Sequence, residues 1–231
     1  MSKLLIITGA SSGIGYQTAH SFLQNDWQVI NLSRSICNIE GVTNYQVDLS
    51  DNAALKNLLD SELTSKVKAA DKVCITHNAA KLRNDDYKTL EYDDFLDVIK
   101  INILAVQQIN KALAPLLKPG SSIIYIGSTL SEKAGMNCLS YTATKHALAG
   151  MMKSTAQDLR GKDIHSCLIC PGFTDTEMLR KHLQGNLEFA QNKSLFGRLI
   201  KPQEVAEFIY STANQPITNG SVLHINLGES D

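Results

Sequence analysis

Tyr141 and Lys145 are four residues apart in the stretch SYTATKHAL, which is predicted to be helical. Residues four apart in a helix lie on the same face, so the phenol and the ammonium group would be neighbours, as groups that transfer a proton must be. Such a pair also arises by chance. Two polar residues accompany it: Ser128 ends a predicted strand, and Asn102 stands among isoleucines and leucines. Asn102 is either a hydrogen-bonded core residue or part of a site.

A glycine-rich turn follows the first predicted strand. The stretch TGASSGIG places Gly9, Gly13 and Gly15 in the order G-x-x-x-G-x-G, which matches neither the G-x-G-x-x-G fingerprint nor a Walker loop. Glycines let the chain turn sharply and let a phosphate approach bare amide groups at a helix N-terminus. Since a strand precedes the turn and an amphipathic helix follows it, we expect phosphate or dinucleotide binding. The alternative is a tight turn without a ligand.

The end of the second predicted strand indicates which dinucleotide would bind. An acidic residue there would bind a ribose 2′-hydroxyl, whereas an arginine suits a 2′-phosphate. The sequence has Ser33 and Arg34 at this point, with no acidic residue between positions 27 and 39. This arrangement favours NADP over NAD, and the alternative is a solvated surface arginine.

These residues need elements that bring them together. Short apolar runs predict strands at 3–8, 28–33, 45–47, 72–76, 122–127, 165–170 and 221–226. Amphipathic stretches between them predict helices at roughly 13–25, 51–60, 93–117, 141–160 and 202–213. The alternation predicts an α/β fold, a single Rossmann-type doubly wound parallel sheet of about seven strands with helices on both faces. Ligands bind at the carboxyl edge of such a sheet, where the candidate residues would meet.

Composition narrows the class of protein. The chain has 231 residues, of which 43% are hydrophobic, and this suits one domain over 1–231. The net charge of −1 offers no broad basic field for nucleic acid or an anionic membrane, so neither is an expected partner. No apolar run approaches the ~18 residues that span a bilayer, and the N-terminal run is too short for a signal peptide. We therefore expect a cytoplasmic protein.

The five cysteines, an odd number spread along the chain, are expected to be free thiols in a reducing compartment. Cys167 and Cys170 form a C-x-x-C within a predicted strand, where residues three apart point to opposite faces. No second such pair exists in the sequence. We therefore predict no metal site.

Taken together, the motifs resemble the short-chain dehydrogenase/reductase family. The resemblance rests on TGASSGIG (8–15), NAA (78–80), Asn102, Ser128, Tyr-x-x-x-Lys (141–145) and PGFTDT (171–176), in the family's order and spacing. The stretch from 197 to 228 is also similar to the family's last helix and strand. The chain departs from the family's usual pattern in having NAA for Asn-Ala-Gly and LGES for a terminal Gly-Gly pair.

The resemblance implies an oxidoreductase that transfers hydride between a nicotinamide cofactor and a carbonyl or alcohol. Tyr141 would be the general acid or base, Ser128 would hold the carbonyl oxygen, and Lys145 would bind the nicotinamide ribose. Asn102 would hold a water that links Lys145 to solvent. A charge at ~4 Å in an effective dielectric of ~20 is worth about 4 kcal/mol, or roughly 3 pKa units. Lys145 and the oxidised cofactor would thus bring the pKa of Tyr141 from about 10 to near 7.

The same resemblance, with the glycine turn and the Arg34 argument, gives a set of expected cofactor contacts, in which Asp48 and Leu49 flank the adenine. The full set is Gly9, Ser11, Ser12, Gly13, Ile14, Gly15, Ser33, Arg34, Asp48, Leu49, Asn78, Ala79, Ala80, Tyr141, Lys145, Pro171, Gly172, Phe173, Thr174 and Thr176.

Substrate and assembly are less closely defined. Segments 129–139 and 173–200 would set specificity, and the second is expected to be a mobile substrate-binding lid with an apolar inner face. A neutral, partly apolar carbonyl compound or its alcohol fits best. One alternative is a 3-oxoacyl thioester on a carrier protein, for which the candidate basic patch is Lys133, Arg180, Lys181 and Arg198. Another is a non-catalytic NADP-binding regulator. Wide apolar faces on 93–114 and 141–159 predict a homodimer or homotetramer.

Overall fold

A computed structural model describes residues 1–229, so the last two residues of the predicted domain lie outside the described part. It contains seven strands that form one sheet. They are β1 (Lys3–Thr8), β2 (Gln28–Ser33), β3 (Val42–Gln46), β4 (Lys72–His77), β5 (Ser122–Ile126), β6 (His165–Pro171) and β7 (Val222–Ile225). Every neighbouring pair is parallel, and the strand order is β3-β2-β1-β4-β5-β6-β7. The predicted doubly wound sheet is confirmed.

Both faces of the sheet are covered by helices, which explains why the central strands β1, β4, β5 and β6 are almost completely buried. In β1, Leu4 and Ile6 belong to one buried cluster, while Leu5 and Ile7 belong to the other. The alternation follows from the strand period of two, which sends successive side chains to opposite faces.

The helices of residues 1–229 include all those predicted, with shifted limits. They are α1 (Gly13–Leu23), α2 (Asn52–Leu59), α3 (Glu62–Ala69), α4 (Tyr92–Ile99), α5 (Ala105–Leu113), α6 (Leu139–Asp158), α7 (Glu177–His182), α8 (Leu187–Lys193) and α9 (Pro202–Thr212). The sequence did not predict α3, α7 or α8. Residues from α2, α3, α5 and α6 pack in one cluster, and residues from α1 and α9 pack in the other.

The predicted long helix over 93–117 is interrupted. A π-helical segment, Lys100–Leu104, separates α4 from α5, and a 3₁₀ turn, Ala114–Leu116, follows α5. The π segment contains Asn102, which is buried. Single π turns inside helices often occur at functional sites.

Within the sheet, β2 lies next to β1 on one side and β4 lies next to β1 on the other, so the direction of the strand order reverses at β1. This reversal opens a crevice beyond the carboxyl ends of β1 and β4, the usual ligand position in open α/β sheets. No helix in the described residues is both long and apolar enough to cross a membrane.

Candidate active site

The turn after β1 requires its glycines. Gly9 and Gly13 have φ values of +74° and +56°, in the left-handed region that favours glycine. A Cβ built on Gly15 would lie 2.2 Å from the carbonyl oxygen of Gly9, so no side chain fits there. The first amides of any helix lack an acceptor within the helix, and the side chain of the N-cap residue Ser12 supplies none for α1. The start of α1, with Ser11 nearby, therefore fits a phosphate group.

Residues 78–80 hold this turn from the neighbouring strand. The Nδ2 atom of Asn78 donates to the carbonyl oxygens of Thr8 and Gly9, each at 3.0 Å. The amide of Ala79 donates to Oγ1 of Thr8 at 3.0 Å, and Ala80 is half-buried beside it. Ala79 also packs closely on Gly9, since a Cβ built on Gly9 would lie 3.1 Å from the Ala79 Cβ. These contacts show that the NAA segment shapes the crevice.

The ends of β2 and β3 bring Arg34 and Asp48 near one another. Arg34 is exposed, and its charge helps to hold the pKa of Asp48 below its usual range. The larger cause is hydrogen bonding, because Ser50 donates to Oδ1 of Asp48 from its hydroxyl at 2.7 Å and from its amide at 2.9 Å. The arginine thus stands at the crevice with a carboxylate close by.

Two expected cofactor contacts in this region have buried side chains. The Ser33 hydroxyl donates to the carbonyl oxygen of Ser35 at 2.6 Å and accepts from Nδ2 of Asn31 at 3.0 Å. Leu49 packs in one of the buried clusters. Their side chains stabilise the turns that carry Arg34 and Asp48. The sequence pattern alone did not show whether these side chains stabilise the turns or contact the ligand.

Tyr141 and Lys145 lie on adjacent turns of α6, as expected. Lys145 is 3% exposed, and its Nζ atom donates to the carbonyl oxygen of Ile126 at 2.6 Å. Burial lowers the pKa of Lys145 to about 8. The same Nζ atom lies 5.2 Å from the centre of the Tyr141 ring. The ammonium group is therefore fixed at the last residue of β5, against the phenol.

Ser128 follows β5 and meets Tyr141. Their side chains form a hydrogen bond, which lowers the pKa of Tyr141, but burial has the larger effect and raises that pKa above its usual value. The neighbouring thiols Cys138 and Cys170 raise it further. The expected pKa near 7 is therefore not found in the protein alone, because desolvation of the phenol outweighs the groups that favour its ionised form.

Asn102 joins the site through its neighbours rather than through Lys145. Its Oδ1 atom accepts from the amide of Lys81 at 2.7 Å, and its Nδ2 atom donates to the Lys81 carbonyl oxygen at 3.1 Å. The same Nδ2 atom donates to Oγ1 of Thr144 at 2.9 Å, and Thr144 lies between Tyr141 and Lys145 on α6. These contacts use both donors of the Asn102 amide, so its side chain links the β4–α4 connection to α6.

The segment after β6 closes the crevice from the other side. A Cβ built on Gly172, next to Pro171, would lie 2.9 Å from the Asn226 Cβ, so only glycine fits. The buried Thr174 donates to the Gly172 carbonyl oxygen at 3.0 Å. Thr176 caps α7, and its Cγ2 atom would be 3.2 Å from a Cβ on Gly13. The start of segment 173–200 thus touches the glycine turn.

Within segment 173–200, apolar side chains remain exposed. Phe173 and Phe189 form an edge-to-face pair with ring centres 6.2 Å apart, and Phe189 is 50% exposed. Leu195 and Phe196 are 79% and 70% exposed. Such side chains can cover an apolar ligand.

Comparison with known proteins agrees with this geometry. Residues 9–230 match a family model described as enoyl-(acyl carrier protein) reductase. The chain belongs to the short-chain dehydrogenase/reductase family. It is 28% identical to a 3-oxoacyl-[acyl-carrier-protein] reductase of Thermotoga maritima, over 98% of this chain and 97% of that protein.

Solved structures of short-chain dehydrogenases have the same fold. A family member from Francisella tularensis superimposes with a TM-score of 0.90 at 26% identity and covers 99% of this chain and 98% of that one. A structure of ElxO with NADP bound gives a TM-score of 0.85 at 26% identity, with the same coverage. As a short-chain dehydrogenase/reductase, this protein is an NAD(P)-dependent oxidoreductase that acts on small molecules. No group of metal-ligating side chains occurs within residues 1–229.

Proposed function

We propose that the protein is an NADP-dependent reductase or dehydrogenase for a neutral, partly apolar carbonyl compound or its alcohol. The observation that carries the proposal is the cluster at the carboxyl edge of the sheet. There the side chains of Tyr141 and Ser128 share a hydrogen bond, and Lys145 lies against the Tyr141 ring. The glycine turn lies at the same edge and fits the cofactor's phosphates.

In the proposed reduction, the bound nicotinamide cofactor supplies a hydride to the carbonyl carbon. The Ser128 hydroxyl holds the carbonyl oxygen by donating a hydrogen bond to it. Tyr141 gives its phenolic proton to that oxygen as negative charge develops, and the product is the alcohol. Because burial keeps the pKa of Tyr141 high, the phenol is protonated at neutral pH, which suits the acid role.

In the reverse direction the phenol must first lose its proton. Lys145 is held beside it and stabilises a phenolate by its charge, and the oxidised cofactor adds a further positive charge to the site. Asn102 supports this arrangement through Thr144, which lies on the helix turn between the two catalytic groups. We assign the Asn102 side chain to positioning, and the expected role of Asn102 in holding a relay water stays a prediction.

Arg34 supports NADP as the preferred cofactor. Its side chain is exposed at the end of β2, where a 2′-phosphate is recognised in dinucleotide folds. Asp48 lies within electrostatic reach of Arg34, but its carboxylate accepts hydrogen bonds from Ser50. The guanidinium group is thus presented to solvent and to an incoming anion.

The second candidate is reduction of a 3-oxoacyl group on a carrier protein, which the name of the Thermotoga maritima relative favours. Acidic carrier proteins would require a basic surface near the site. The four cations proposed for that surface each pair with a carboxylate. The pairs are Lys133 with Glu229 at 2.9 Å, Arg180 with Asp175 at 2.7 Å, Lys181 with Glu177 at 2.7 Å and Arg198 with Glu204 at 2.7 Å. Because these carboxylates neutralise the four cations, the surface offers little positive charge to an acidic carrier protein. The ion pairs therefore favour a free small molecule as substrate.

The test is a panel of carbonyl compounds assayed by loss of NADPH absorbance. It includes ketones, aldehydes and one 3-oxoacyl group presented both on a carrier protein and on a short thiol. We expect turnover of free carbonyl compounds and no advantage for the carrier-bound thioester. A much higher kcat/KM with the carrier protein would favour the second candidate. Tight NADPH binding without turnover of any compound would favour a regulator.

A further inference from the structure

Asp85 is a buried carboxylate in the connection between β4 and α4, and sequence patterns did not single it out. It is 5% exposed. Its backbone pairs with the residues at the start of α6. The Asp85 amide donates to the Asn137 carbonyl oxygen at 3.1 Å, and the amide of Leu139, the first residue of α6, donates to the Asp85 carbonyl oxygen at 3.3 Å. The β4–α4 connection is therefore bound to the start of the helix that carries Tyr141.

The Asp85 side chain completes that attachment. Its Oδ1 atom accepts from the amide of Ser140 at 2.9 Å, and its Oδ2 atom accepts from the Ser140 hydroxyl. Helix α6 has no side-chain cap of its own, since its N-cap residue Cys138 makes no capping hydrogen bond and its first turn contains no acidic residue. A carboxylate at a helix N-terminus satisfies orphan amides and interacts favourably with the helix dipole. Asp85 thus caps α6 from a distant segment.

The capped residue is adjacent to Tyr141. The Tyr141 phenol must meet the Ser128 hydroxyl, which belongs to a different element, and helix ends fray when they lack a cap. The contact from Asn102 to Thr144 holds α6 one turn further on. Asp85 therefore holds the first turn of α6, and this turn carries the Tyr141 phenol.

We propose that Asp85 is a positioning residue for the reaction, which fixes the Tyr141 hydroxyl by capping α6 through Ser140. The inference rests on the proposed function, in which Tyr141 is the proton donor. Displacement of a reacting group by about 1 Å costs on the order of 100-fold in rate. The loss should fall on kcat, because the glycine turn and Arg34, which bind the far end of the cofactor, are on other elements.

The experiment compares Asp85→Ala, Asp85→Asn and Asp86→Ala in the full chain. Asp86 is the matched control, because its carboxylate also accepts hydrogen bonds from backbone amides and a hydroxyl, but within its own segment. These donors are the amides of Lys88 and Thr89 and the Thr89 hydroxyl. Steady-state kinetics, NADPH affinity and amide hydrogen exchange of peptides covering 137–146 are measured. Thermal denaturation verifies that each variant is folded.

We expect Asp85→Ala to lower kcat by about tenfold to 100-fold. Its NADPH affinity should stay within about threefold of the native value, and exchange in the first turn of α6 should become faster. Asp85→Asn should keep kcat within about threefold, because its amide oxygen still accepts from Ser140. Asp86→Ala should change neither kcat nor exchange in α6.

Three results would each overturn the proposal while leaving the proposed function in place. They are a native kcat in Asp85→Ala, an equal loss of kcat in both Asp85 variants, and unchanged amide exchange in α6 of Asp85→Ala. If the native protein turns over no carbonyl compound, the proposed function fails instead. The exchange measurement then still decides whether Asp85 holds the first turn of α6.

Discussion

The Nζ atom of Lys145 lies 5.2 Å from the centre of the Tyr141 ring, while the same atom donates a hydrogen bond to the last residue of β5. The lysine is therefore anchored to the sheet and not to the phenol oxygen. Its charge lies against the aromatic ring of Tyr141, whereas the Tyr141 hydroxyl is hydrogen-bonded to Ser128. Because the lysine and Ser128 contact different parts of the phenol, Tyr141 and Lys145 have roles that separate substitutions can distinguish.

Removing the Tyr141 hydroxyl should abolish most turnover. We expect Tyr141→Phe to lower kcat by about 10²–10⁴-fold, the usual contribution of general acid catalysis. NADPH affinity, measured by fluorescence titration, should change little, since only one oxygen is lost. Tyr87→Phe is the control, because Tyr87 is 79% exposed. If Tyr141→Phe keeps more than about a tenth of native activity, Tyr141 is not the acid.

Lys145→Met should impair both rate and cofactor binding, because Lys145 is assigned to the phenol and to the nicotinamide ribose. Its pKa of about 8 adds a pH signature. The ammonium form is lost as pH rises through this value, so NADPH affinity of the native protein should weaken above about pH 8. Affinity of Lys145→Met should show no such step. A variant that loses rate alone would remove the ribose contact from the proposal.

Arg34→Ala should change cofactor preference. We expect NADPH binding to weaken by ~1.5–3 kcal/mol, the scale of a charge-assisted hydrogen bond, with little effect on NADH. Arg160→Ala is the matched control, because Arg160 is also exposed but lies after the C-terminal end of α6. Equal losses for NADPH and NADH would mean that Arg34 does not recognise the 2′-phosphate.

Most of the fold could be predicted from the sequence because its signals are local. Strands buried on both faces give short continuous apolar runs, and each of the seven predicted strands overlaps an observed one. The partly buried β3 begins three residues earlier than predicted, at Val42. The helices that were missed carry weak patterns: α3 buries only Leu63 and Val67, and no residue of α7 is buried. Periodicity cannot indicate a helix that has almost no buried face.

The site was predictable only as a set of residue types. Asn102 was recognised as unusual, but its partners Lys81 and Thr144 follow from a π-helical turn that has no sequence signature. Asp85 and Asp86 look alike in the sequence, yet only Asp85 caps α6, through a contact that spans 55 residues. Such long-range hydrogen bonds are set by the packing of elements and not by local spacing.

The exposed face of α6 should mediate self-association. Ala143, Ala147 and Gly150 are exposed on this helix, and a Cβ on Gly150 would meet nothing within 4 Å. Small side chains allow two helices to pack closely, so we expect light scattering to give at least twice the mass of the chain. Ala147→Glu should yield monomers, whereas Ala53→Glu, on the exposed side of α2, should not. A native monomer at micromolar concentration would contradict this prediction.

Acid should destabilise the protein through His77. This residue is 2% exposed, and its Nε2 atom is hydrogen-bonded to Oδ1 of Asn110 at 2.8 Å. Burial lowers the pKa of His77 from 6.5 to about 4. Between these values the unfolded chain binds a proton that the folded protein does not, so the free energy of unfolding falls as pH decreases. The contribution is fully present above pH 6.5 and is lost by about pH 4.

The shift corresponds to a loss of up to about 3 kcal/mol between pH 7 and pH 4. Urea unfolding at about pH 7 and pH 4.5 should show that His77→Gln has a smaller pH-dependent difference than the native protein by about 2 kcal/mol. His20→Gln, at an exposed position on α1, serves as the control and should keep the native difference. The comparison uses the difference between two pH values within each variant, so a uniform loss of stability from the substitution cancels. If His77→Gln retains the full native difference, the acid sensitivity comes from other groups.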